Sequence, residues 1–266
     1  MERMPSLFIS HGAPTFALEP GRLGPALKAI GAQLGRPKAV VVVSPHWMTR
    51  QPQVASSARP ETIHDFYGFD PALYELVYPA PGDPILATRI LERLREAGWP
   101  AQRAPGQGLD HGAWVPLRYL FPDADVPVVQ ISLPEDLDGG SAFDFGRALA
   151  PLAEEGVPIV GSGSLTHNLF DFRMRASDLG YVEEFAGWVR ERVEAGDVEA
   201  VKSALERAPA AERAHPTPEH FLPLPLALGA APTREPVTPV RGGIAHGILA
   251  MDAFVFGRDF SGILCE

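Results

Sequence analysis

The sequence predicts an α/β fold: a single three-layer α/β/α domain spanning residues 1–266 with a mostly parallel central sheet. Three observations carry this expectation. Short apolar runs rich in β-branched residues recur along the chain, helical patterns with clear end signals alternate with them, and no repeat, low-complexity segment or long linker divides the sequence. The runs are Leu7–Ser10, Ala39–Ser44, Val126–Ser132 and Val157–Ser162. Each is too short for a typical helix and too continuous for a strand with one wet face, so each reads as a buried parallel strand. Between them, Asp83 can N-cap a helix with Pro84 at its first position, running from Ile85 to Ala97 and closed by Gly98. Further helical stretches cover Leu179–Ala195 and Val198–Ala208, interrupted at Gly196, and a third runs from near Pro218 to near Gly229. Parallel strands joined by such helices require right-handed crossovers.

A chain of 266 residues can bury a large core without a disulfide or a structural metal. The net charge of −10 leaves no basic field for a phosphate backbone, so nucleic acid is not an expected partner. The N-terminus lacks a basic segment followed by an apolar stretch, and nowhere do about 18 apolar residues run together; we expect a cytoplasmic protein that does not enter a membrane. The single cysteine, Cys265, is penultimate and reads as an exposed thiol, which excludes an internal disulfide and a cysteine-based zinc site. The sequence is compatible with a monomer or a homo-oligomer.

The histidines carry the functional signal. His11 follows Phe8-Ile9-Ser10, His46 follows Val43-Ser44-Pro45, and His167 follows the stretch Gly161 to Thr166. In open α/β sheets, ligands bind outside the carboxyl ends of the strands, so these loops converge although they are distant in sequence. One such histidine alone would read as a hydrogen-bonded structural residue; three in equivalent positions point to a metal or catalytic centre. A fourth donor is expected from Pro218-Glu219-His220, with Pro218 starting a helix that carries both residues in its first turn. Neighbouring helical side chains diverge by about 100°, so only one of the pair faces the site. Two histidines and a carboxylate, the common ferrous oxygenase set, favour Glu219; an all-histidine set favours His220.

The chain also resembles a known family. The motifs are Ser10-His11-Gly12-Ala13-Pro14, Ser44-Pro45-His46-Trp47, Thr62-Ile63-His64-Asp65-Phe66-Tyr67-Gly68-Phe69 and Tyr78-Pro79-Ala80-Pro81-Gly82. They continue through Gly108 to Leu117, Gly161 to Leu169, and Pro218-Glu219-His220-Phe221. In this order they resemble the class III extradiol dioxygenases of the LigB superfamily, in the branch of DOPA 4,5-dioxygenase-like proteins. The resemblance implies a non-haem Fe(II) enzyme that opens a catechol ring (DOPA-, caffeate- or protocatechuate-like) with O2. It implies His11, His46 and His220 as metal ligands, with Glu219 the alternative to His220. It makes His167 the acid–base residue and His111 a residue contacting substrate oxygen. In a zinc form, seen for some members when purified or crystallised, His167 can join the metal as a fourth ligand.

Three protein ligands on a six-coordinate ferrous ion leave three positions, two for catechol oxygens and one for dioxygen. A neutral histidine near pH 7, such as His167, suits the removal of a catechol proton. His64 and Phe66, in an aromatic loop, and His246, in a glycine-rich loop, are expected substrate-binding residues. Two other classes compete: a zinc-dependent hydrolase, and a non-catalytic protein-binding relative of the same fold, which an incomplete ligand set would mark.

Overall fold

The computed structural model of the protein describes residues 3–231 and 236–264; Cys265 lies outside them. Among the described residues ten strands form, in chain order β1 (Ser6–Ser10), β2 (Val40–Thr49), β3 (Gln53–Ala55), β4 (Gln102–Ala104), β5 (Val128–Pro134), β6 (Ile159–Gly163), β7 (Val237–Val240), β8 (Ile244–Ala245), β9 (Leu249–Ala250) and β10 (Ala253–Phe256). Eight make one sheet in the order β4-β3-β5-β2-β6-β1-β10-β7, while β8 and β9 pair separately. The centre, β5-β2-β6-β1, is parallel and contains the four runs expected from their continuous burial. Its margins are mixed, with β4 parallel to β3. β3 pairs antiparallel with β5, and β10 pairs antiparallel with both β1 and β7. β7 contains Pro239 and sits at the sheet edge, where a residue without a backbone N–H is tolerated.

Side-chain alternation along the strands divides the core into two faces. Leu7, Ile9, Val40 and Val42 point to the face covered by the helices Leu23–Leu34 and His111–Leu120. Val41, Val43 and Ile131 point to the opposite face, under the helices Pro84–Glu96, Gly139–Leu149 and Pro223–Ala230. Phe8, Phe254 and Phe256 extend that second face beneath the helix Gly180–Glu194. These are the three layers. In the helix Pro84–Glu96 the Asp83 carboxylate accepts the amides of Ile85 and Leu86 at 3.0 and 2.9 Å. Such a cap contributes about 1 kcal/mol. The buried Leu86, Ile90 and Leu94 contribute roughly 1.5–3 kcal/mol each, so packing rather than capping holds the helix.

Two expectations are corrected. His46 does not follow its strand: β2 continues through Pro45 and His46 to Thr49, with its register against β5 shifting between Ser44 and Met48. The bulge re-aims the strand end without terminating it. The third helix begins at Pro223, not Pro218. Pro218 instead opens a tight turn whose carbonyl accepts the amides of Phe221 and Leu222, so Glu219 and His220 lie on a turn and not in the first turn of a helix.

Candidate active site

Each of the four core strands carries a fully buried serine at the end of its apolar run, Ser10, Ser44, Ser132 and Ser162, and these serines organise the site. Ser10 Oγ accepts the Leu165 amide, Ser44 Oγ accepts the His46 amide, and Ser132 Oγ accepts the Gln53 amide. Ser162 Oγ donates to the Gly112 carbonyl and stands 3.0 Å from His11 Nδ1. Because its proton is committed to Gly112, the Ser162 oxygen accepts from His11 Nδ1–H, and His11 Nε2 carries the lone pair.

Five histidines meet at this end of the sheet. His11 leaves β1 with its amide on the Gly163 carbonyl at 2.9 Å, and His46 approaches from β2 until the two Nε2 atoms are 3.1 Å apart. His220 is brought in by its turn, whose carbonyl accepts the Ser164 amide at 2.8 Å. That approach needs Gly163, since a Cβ there would stand 2.3 Å from the His220 oxygen. The ring centroids of His11, His46 and His220 form a nearly equilateral triangle with sides of 5.0, 5.1 and 5.5 Å. His111 begins a helix capped by Asp110 and lies 3.9 Å from the His46 ring centroid. The His167 ring stacks on that of His220 at 3.5 Å and 8°, and has no hydrogen-bond partner for its ring nitrogens among the described residues.

The ring nitrogens have a common orientation. His220 Nδ1 is 3.0 Å from Glu219 Oε1, His111 Nδ1 is 2.9 Å from Asp65 Oδ2, and His46 Nδ1 is 3.6 Å from the same oxygen. Each carboxylate can only accept, so in His220 and His111, which are within hydrogen-bond distance, Nδ1 carries the proton and Nε2 is left for the centre, while His46 turns the same edge toward Asp65 from a longer distance. Glu219 and His220 therefore stand in series, although the ligating atoms of His167, Glu219 and His220 also lie within 4.8 Å of one another.

Burial, followed by the neighbouring histidines, holds His11 and His220 well below the usual imidazole range. Burial lowers His46 to about 3, His111 adding to the shift and Asp65 opposing it. Burial lowers His167 to about 4 against the pull of Glu219. All four are neutral, lone-pair-bearing donors at pH 7. The buried Nε2 of His220 has no hydrogen-bond partner among the described residues, which costs roughly 1–3 kcal/mol in a centre with nothing to bind. A divalent first-row metal bonds imidazole nitrogen at about 2.0–2.1 Å and so sets adjacent ligand nitrogens roughly 3 Å apart, the spacing between His11 and His46. The donor set fits a metal ion.

The remaining expected site residues lie around this cluster. Phe66 meets His111 edge-on at 5.7 Å, while His64 sits behind Phe66, bonded to the Leu76 carbonyl at 2.9 Å. His246 adopts a left-handed backbone (φ +51) and places Nε2 3.2 Å from Thr15 Oγ1. It lines a cavity of about 340 Å³ that includes Ala13, next to the His11 loop, and none of the five clustered histidines. Asp65 and Ser162 were not singled out from sequence. A serine ending every apolar run was the available signal, since a buried hydroxyl requires a partner.

A model of the catalytic LigB subunit of aromatic ring-opening dioxygenase matches residues 9–244, a span containing every histidine of the cluster. The chain belongs to the LigB family. It is an oxidoreductase of the extradiol ring-cleaving dioxygenase type. The chain is 38% identical over 258 residues to the 4,5-DOPA dioxygenase extradiol of Beta vulgaris, covering 94% of this chain and 96% of that protein. It is 39% identical over 254 residues to the protein of that name from Escherichia coli K12, covering 94% and 93%. A crystal structure of an uncharacterized protein from Escherichia coli K12 superposes with a TM-score of 0.78 at 33% identity, covering 96% of this LigB-family chain and all of the other.

Proposed function

We propose that this LigB-family protein is a non-haem Fe(II) dioxygenase that opens a catechol-type ring beside its hydroxyls, with His11, His46 and His220 as metal ligands. The observation that carries the ligand set is the buried Nε2 of His220, which has no hydrogen-bond partner among the described residues and completes the triangle of rings with the His11 and His46 Nε2 atoms 3.1 Å apart. Ferrous ion held there supplies the one-electron chemistry that lets triplet dioxygen react with a singlet ring. The side chains bind and move protons. His167, neutral and without a hydrogen bond to its ring, takes a proton from a catechol hydroxyl and later returns it. His111, anchored through Nδ1, offers Nε2 to a substrate oxygen. Phe66 walls the aromatic ring, with His64 supporting it, and His246 contributes from the neighbouring loop. The names of the relatives favour a DOPA-like catechol among ortho-diphenols.

The test is anaerobic loading with ferrous ion, followed by a panel of catechols bearing different side chains, read by the appearance of a yellow ring-opened product. The zinc-loaded protein is the control. Product with iron alone supports the reading; hydrolytic turnover with zinc and no product with iron would replace it.

A further inference from the structure

Asp65 belongs to none of the strands or helices around the site, yet it is the residue on which two of the five histidines converge. The loop carrying it is fixed by backbone pairing with the segment that enters the helix His111–Leu120: Leu109 N donates to Glu61 O and Ile63 N to Leu109 O, both at 2.8 Å. The close approach needs Gly108, where a Cβ would stand 2.4 Å from the Glu61 oxygen. The carboxylate is thereby set across the start of the helix. Its Oδ1 accepts the His111 backbone amide at 2.9 Å, one of the first-turn amides that has no partner within the helix. Its Oδ2 accepts His111 Nδ1 at 2.9 Å and faces His46 Nδ1 at 3.6 Å.

We infer that Asp65 is a positioning residue that fixes His111 as the Nδ1–H tautomer, so that its Nε2 meets the substrate as a hydrogen-bond acceptor. The inference rests on the catechol reading for its substrate, but the tautomer itself is a property of the protein. A carboxylate without a proton cannot donate, so a neutral His111 held against it must carry its hydrogen on Nδ1. The lone pair then lies on the side of the ring away from Asp65. An acceptor there recognises the catechol hydroxyl that keeps its proton while His167 removes the other. An Nε2–H at the same place would instead oppose that hydroxyl's hydrogen. The two-point grip on backbone and ring also fixes the ring's rotation, which one hydrogen bond would not do.

The test uses long-range proton–nitrogen correlation spectra of the zinc-loaded protein, with His111 assigned by a His111→Gln control, alongside kinetics of the ferrous enzyme. Wild-type His111 should be protonated at Nδ1. Asp65→Asn can keep the bond to the backbone amide but can set an NH2 against Nδ1, and should move the proton to Nε2. In the ferrous enzyme this variant should lose roughly 10–100-fold in kcat/KM, mainly through a higher KM for catechol, at iron concentrations that keep the site full. Asp65→Glu, which retains a carboxylate, should recover the Nδ1–H form. A wild-type His111 protonated at Nε2, or an Asp65→Asn protein with an unchanged tautomer, would overturn the inference. Absence of catechol cleavage by the wild type would sink the proposed function and leave the tautomer result standing.

Discussion

The three proposed ligand rings are each steered by a different acceptor, and this makes their roles separable by substitution. His11 leans on a neutral serine, His220 on Glu219, and His46 stands at a longer distance from Asp65. His11→Ala and His220→Ala should abolish metal binding while circular dichroism shows the fold retained. Glu219→Gln keeps an amide oxygen beside His220 Nδ1 and should largely keep the metal. If Glu219→Gln loses the metal and His220→Ala keeps it, the third ligand is the carboxylate. His167→Gln, measured with iron on the same preparation, should retain most of the metal and lose roughly 10²–10⁴-fold in turnover, the range for removing a general acid–base group. Iron lost in proportion to activity would instead make His167 a ligand. At this scale the sequence shows the histidines, because their residue type announces the chemistry. Ser162 and Asp65 stay hidden because a serine and an aspartate gain meaning only from the atom they face.

Pro116 shows how an irregular element serves the site. It lies inside the helix His111–Leu120, where a proline removes the N–H that would bond to the carbonyl four residues earlier, that of Gly112. That carbonyl accepts the Ser162 hydroxyl, which in turn orients His11. Gly112 is packed tightly enough that a Cβ would stand 2.3 Å from Ser44 Oγ and 3.0 Å from His46 Cδ2. Pro116→Ala supplies a competing N–H and a far better helix former, worth up to about 3 kcal/mol in a helix interior. The variant should therefore unfold at an equal or higher urea concentration and yet bind metal more weakly by competition titration. A variant with unchanged metal affinity would show that the proline has no part in setting His11. The parallel strands and the helix after Asp83 were legible because burial and capping are local signals. The start of the helix Pro223–Ala230 was not, because proline at a helix start and proline opening a turn look alike until the turn is seen to be pinned to the end of β6.

Across the whole molecule, the parallel core was legible from four apolar runs, but the antiparallel margins were not. β7 and β10 have four residues each, so their pairing comes from the edge of β1, on which β10 adds and then carries β7, and not from their own pattern. Gathering so many neutral imidazoles at the strand ends also makes folding depend on pH. His215, buried with Nε2 on the Leu165 carbonyl, is lowered by burial to about 4. An unfolded histidine titrates near 6.5, so as pH falls from about 6.5 towards 4 the unfolded chain takes up a proton that the folded chain refuses. Stability is then lost across that window, on the order of 3 kcal/mol for one such group. Asp110, raised by burial to about 6, acts in the opposite sense, because its folded form gains a proton first as pH falls. Several depressed histidines outweigh one raised carboxyl, so the metal-free protein should show a urea midpoint that falls steadily below about pH 6.5; a flat profile would mean that the histidines are charged when folded. The most direct test of the ring-cleaving metal centre is the oxygen balance of the iron-loaded protein with a catechol that it turns over. The account predicts one dioxygen consumed per catechol and a product whose mass is the sum of the two, with neither result in the His11→Ala protein. Turnover without oxygen consumption, or equal consumption by His11→Ala, would contradict it.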